Sequence, residues 1–168
     1  MMKFGKKLLA VVLAAVLALT MLTACGTQGS VDLGKSKEIL EVVNDCRTKN
    51  GKGELTLSEE ASQQLAAWAK AAAAQNANPT KATLAATENA KSEAKEAIKK
   101  LTIDGKTIIK TWETYSYSGT TADAAKAALL AHPDWFWHDS EDDCNYVAIA
   151  TYGSGKESAT VVMMLKVK

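Results

Sequence analysis

Hydrophobic residues are spaced along this chain in ways that change from segment to segment. Leu8 to Leu19 is unbroken apolar sequence. Ile39, Val42, Val43 and Cys46 instead recur at helical spacing, and Gly51 follows as a stop, which predicts a first amphipathic helix beginning near Lys37. Leu55-Thr56-Leu57 is a short apolar step. Ser58 is then placed to cap a second helix with Glu59 and Glu60 in its first turn, running to about Asn76. That helix is dense in alanine, carries Leu65 and Trp68 on one face, and is broken by Asn78-Pro79. Thr80 to Lys100 has few large apolar groups, and Glu93, Ala94, Ala97 and Ile98 suggest a largely solvated helix.

Past Asp104-Gly105, a turn signal, Thr107 to Tyr117 is rich in β-branched and aromatic residues and reads as a strand. Thr121 caps a further helix over Ala122 to Ala131, ended by Pro133. Tyr146 to Tyr152 and Val161 to Val167 flank Gly153-Ser154-Gly155, the pattern of a β-hairpin. Helices come before strands, so the expected fold class is α+β, with helices packed on an antiparallel sheet.

The chain opens with Lys3, Lys6 and Lys7 and no acid ahead of the apolar run, the order of an export signal. The run closes on Leu22-Thr23-Ala24-Cys25, which resembles the lipobox of bacterial lipoproteins. That resemblance implies lipid on the Cys25 thiol, cleavage before it, and a protein exported and lipid-anchored to the outer face of the cell membrane. One acyl chain holds a protein only marginally, whereas the two or three of a lipoprotein attach it stably. The expected division is a signal over 1–24, a lipidated tether over 25–37 and one domain over 38–168. Residues 26 to 36 are small and polar with three glycines, a flexible spacer.

Loss of residues 1–24 removes three lysines, so 20 basic and 19 acidic residues become 17 and 19, a net charge of −2. There is no basic stripe interleaved with aromatics and no phosphate-cradling glycine loop, so nucleic acid and nucleotides are not expected as partners. Cys46 and Cys144 form an even pair outside the cytoplasm, which admits a disulfide closing a long loop or two buried reduced thiols.

Ile39-Leu40-Glu41-Val42-Val43-Asn44-Asp45-Cys46-Arg47, then Gly51, Leu55-Thr56-Leu57 and the alanine-rich helix resemble the opening of the CAP domain family (cysteine-rich secretory, antigen 5, pathogenesis-related) in its bacterial extracellular form. In that opening an Asn and an Arg three apart precede a Gly and a Leu-containing step. Ala122 to Ala131, Pro133, Tyr146 to Tyr152 and Val161 to Val167 are similar to the family's last helix and closing hairpin. The resemblance implies an α/β/α sandwich. Between these ends the chain departs from the family. Lys100 is near where a His is expected, His132-Pro133-Asp134-Trp135 replaces a Ser-Pro-Gly-His turn, and Glu113 stands where a cleft Glu belongs. The paired histidines of a family-type metal cleft are not both present, so no metal and no cofactor are expected.

The candidate chemistry is correspondingly thin. His132 and His138, the only histidines, lack the i, i+4 pairing of a helical zinc site. Asp134, Asp139, Glu141, Asp142 and Asp143 supply oxygens without the spacing of a calcium loop. Neither Cys46 nor Cys144 has a sequence-adjacent His. Catalytic candidates are therefore Glu113, His132 and His138. The candidate binding set is Trp112, Glu113, Trp135 and Trp137, since aromatic faces line sites for sugars, peptides or lipids. Strand alternation assigns Trp112, Thr114 and Ser116 to one face, and Glu113, Tyr115 and Tyr117 to the other. The expected function is a membrane-anchored, non-enzymatic binding or interaction module with a degenerate metal cleft. The alternatives are an envelope hydrolase acting on peptide or cell-wall material and a lipid-binding carrier.

Overall fold

The computed structural model describes residues 31–132 and 144–168, and of residues 113–115 the backbone alone. Helix α1 spans Leu33–Lys49, with Asp32 as N-cap accepting from the Lys35 amide at 3.1 Å. It starts earlier than the expected Lys37, because the Asp32 carboxylate satisfies the first turn. Val31 and Ser36 are buried, so they belong to the fold and not to a tether ending at residue 37. The single alanine-rich helix expected after Ser58 is two, α2 (Glu59–Gln64) and α3 (Ala66–Ala77), separated at Leu65. The Leu65 amide bonds back to Ser62 O at 3.0 Å, a tight final turn that drives this fully buried side chain into the core. Helix α4 (Lys81–Ile98) starts from a capping box between Thr80 and Thr83 and buries only Thr87, Ala94 and Ile98, the solvated helix that its composition predicts.

Strands β1 (Thr56–Leu57), β2 (Thr102–Ile103), β3 (Lys106–Tyr117), β4 (Tyr146–Ser154) and β5 (Glu157–Val167) form one sheet in the order β1-β4-β5-β3-β2. Only β1–β4 is parallel. Asp104 and Gly105, at φ 52 and 72, make the left-handed turn between β2 and β3 that Asp-Gly favours. Helix α5 (Ala122–Ala131) is capped by Thr121, whose hydroxyl accepts from Ala124 N at 3.2 Å.

The β4–β5 hairpin decides the architecture, since its side chains are apolar on both faces. Ala148, Ala150, Ala159, Val161, Met163, Leu165 and Val167 meet α2, α3 and α4 around Leu65, Trp68 and Ile98. Val147, Ile149, Val162 and Met164 meet α1 and α5 around Ile39, Val43 and Leu129. The fold is thus α+β, a three-layer α/β/α sandwich. Burying each such side chain contributes roughly 1.5–3 kcal/mol, so neither face of the hairpin is left to water.

Beyond β1, the outer edge of β4 is closed by side chains. Ser36 Oγ donates to Ile149 O at 2.9 Å, and the Ile149 amide donates to Ser62 Oγ at 3.0 Å. Asn44 fixes β1: its amide donates to Leu55 O and its carbonyl oxygen accepts from Leu55 N, both at 2.9 Å. Arg47, fully buried, donates from Nε to Gly53 O at 2.8 Å and places Nη1 3.9 Å from Met164 Sδ. The Asn and Arg of the opening motif therefore hold the Leu-containing step in strand geometry against β4. Asn44→Ala leaves both main-chain groups of buried Leu55 unmatched and is expected to lower stability by about 2 kcal/mol in urea unfolding.

Candidate functional site

Strand β3 carries the residues that the sequence marks for a cleft, and two register shifts rearrange them. Ile108 and Lys110 pair with consecutive residues Val167 and Lys166, which leaves Ile109 as an extra residue; a second shift lies between Glu113 and Ser116. Each inserted residue reverses the alternation beyond it. Trp112 and Tyr117, assigned to opposite faces by simple alternation, consequently pack against the same core, the one facing α1 and α5. The half-buried Trp112 ring has Lys110 Nζ 3.8 Å from its centroid, a cation–π contact that covers an aromatic face otherwise available to a ligand.

Glu113, on β3, holds the backbone register position opposite Met163, and His132 is the exposed C-cap of α5. His138, Trp135 and Trp137 lie outside the described residues, as do the acidic positions from Asp134 to Asp143 and the lipidation candidate Cys25. Among the described residues no group of three or more His, Cys, Asp or Glu gathers in a metal-holding arrangement. Among them, too, no helix is long and apolar enough to cross a membrane.

No disulfide joins Cys46 and Cys144, which belong to one cluster, Cys144 within its core and Cys46 packed against it. Burial, followed by the neighbouring Asp45 carboxylate, pushes the Cys46 thiol above its ordinary value, and Lys49 opposes this. Such a thiol is a poor nucleophile at neutral pH.

What the described residues do assemble is a groove between α1 and α5, about 460 Å³ in volume. Val42, Asp45, Cys46 and Lys49 form the α1 wall; Lys126, Leu129 and Leu130 form the α5 wall. Leu130 is 84% exposed, a large apolar side chain open to solvent at the groove. Lys49 Nζ is held by Asp45 Oδ2 at 2.7 Å, while Lys126 forms no ion pair among the described residues. Among the described residues the groove is therefore apolar, with the Lys126 cation uncompensated. It is not legible in the sequence, because its walls come from helices far apart in the chain. The available signal was the Leu129-Leu130 doublet, one residue more than an alanine-rich amphipathic helix needs to face its core.

In the same buried cluster, the Tyr117 hydroxyl has no hydrogen-bond partner among the described residues. Burial pushes its pKa up to about 12, and the adjacent Thr160 hydroxyl, which donates to Gly119 O at 2.7 Å, pulls weakly the other way. The folded protein thus holds this proton more tightly than the unfolded chain. Its contribution is complete below pH 10 and is lost as pH rises toward 12, on the order of 2 kcal/mol. Tyr117→Phe is expected to flatten that alkaline loss in denaturation curves taken between pH 9 and about 12.

No protein-family model, curated protein or solved structure matches this chain.

Proposed function

We propose that this protein is a lipid-anchored, CAP-like binding module of the cell envelope, without enzymatic activity, that holds an apolar ligand between α1 and α5. The observation that carries the reading is the groove itself: Val42, Cys46, Leu129 and Leu130 offer it apolar walls, and Lys126 offers a cation with no ion pair among the described residues. Its volume falls within the range of about 300–1,000 Å³ common to ligand sites. An acyl chain with an anionic head matches both features, removing the exposed Leu130 from water while compensating Lys126. The Asn44 and Arg47 contacts to Leu55 and Gly53 support the CAP-like part of the reading, because they give the opening motif a structural task. Against a thiol-based hydrolase stands the Cys46 thiol, pushed away from reactivity by burial.

The lipid on Cys25 would confine the domain to the membrane surface, so that a carrier meets acyl ligands where they are concentrated. Cys25→Ala is expected to leave the precursor unprocessed or released, as read by fractionation and intact mass. A processed form still retained in the membrane argues against the anchor. For the groove, titration with a dansyl-labelled long-chain fatty acid should show saturable binding. Leu130→Asp, at an exposed position, and Val42→Asp should each weaken it about tenfold or more, since each sets a carboxylate against the chain. Equal affinity in both variants would place the ligand elsewhere.

A further inference from the structure

The opposite layer holds a second depression, of about 370 Å³, framed by α3, the α3–α4 junction and the end of the β4–β5 hairpin. Its floor is Ala73, Ala74 and Ala77, with Lys70 also on α3; Asn78 and Thr83 stand at the junction, and Tyr152 and Glu157 come from the two hairpin strands. Each wall is fixed independently of any ligand. Asn76 Nδ2 donates to Ser158 O at 2.9 Å, tying the end of α3 to the hairpin. Gly153, at φ 75, lets the two strands approach so closely that a Cβ there would lie 1.8 Å from Glu157 O. Thr83 Oγ1 donates to Asn78 O at 2.9 Å and accepts from Thr80 N at 2.8 Å, so this hydroxyl serves the frame.

Lys70 and Glu157 line the same depression with opposite charge, yet neither forms an ion pair among the described residues. Where geometry allows, this protein closes such pairs, as in Lys37–Glu59 at 2.9 Å and Lys99–Glu96 at 2.6 Å. Tyr152 keeps 40% of its surface in water beside them.

The geometry points to a site for a small zwitterionic peptide. The ligand carboxylate meets Lys70, its ammonium group meets Glu157 and the Tyr152 ring, its amide meets the Asn78 side chain, and its apolar side chains rest on the alanine floor. A neutral sugar would stack on Tyr152 but leave both charges uncompensated, and an acyl chain would meet too few apolar atoms. The site is separate from the groove between α1 and α5 and does not depend on what that groove binds.

Calorimetric titration of the full chain in detergent micelles with L-alanyl-L-alanine tests this. Saturable binding is expected, weakened about tenfold or more by Glu157→Gln and by N-acetylation of the dipeptide, with the two changes together costing little more than either alone. Lys70→Ala and amidation of the carboxylate should behave as a second such pair. Both protein positions lie at the surface, and unchanged urea-unfolding midpoints would show the two variants folded. Absence of saturable heat, or affinities indifferent to Glu157→Gln and Lys70→Ala, would overturn the assignment.

Discussion

A hairpin that is apolar on both faces is the constraint from which the rest of the structure follows. Ala148, Ile149, Val161, Val162, Met163 and Met164 are all fully buried, and consecutive strand residues point to opposite sides. A single layer of helices would leave half of them wet. The chain supplies α1 and α5 for one face and α2, α3 and α4 for the other, and the three-layer order follows. The edges come under the same requirement, because a buried strand cannot leave its amides unmatched. Ser36 and Ser62 satisfy Ile149 where no neighbouring strand reaches, and Asn145 does the same for Val167, accepting its amide at 2.8 Å and donating to its carbonyl at 3.0 Å.

Both depressions lie where that covering is incomplete. Over one face, two helices pack among the described residues, and the gap between α1 and α5 is apolar because it continues the core beneath it. Over the other, alanine side chains on α3 let the helix lie close to the sheet, and their shortness leaves the hollow beside the hairpin's end. As the binding module proposed for it, the protein would act through what it holds, and the Cys25 anchor would set where it is held.

Much of the architecture was legible in the sequence. Thr121 and Ser58 cap the helices that their positions predict, Asp104-Gly105 forms the expected turn, and the two apolar stretches near the end form the hairpin. Failures came where tertiary contact overrides local pattern. Asp32 looked like part of a polar spacer until its carboxylate capped α1, and Leu65 sits inside a strong helical pattern yet ends α2 because burial draws it inward. The β3 bulges could not be read, since no residue at Ile109 or between Glu113 and Ser116 signals an insertion by type. For that reason the facing of Trp112 and Tyr117 was misassigned, and with it the shape of any cleft on that strand. The groove was hidden because spacing along one helix says nothing about which distant helix stands beside it.

Native mass spectrometry of the protein extracted from its own membrane in mild detergent tests the central claim most directly. The account predicts a population carrying one extra mass in the range of a single-chain acyl lipid, separable from the covalent anchor by denaturation and absent from Leu130→Asp. Protein at the bare lipidated mass alone, with added long-chain fatty acid also failing to remain bound, would contradict it.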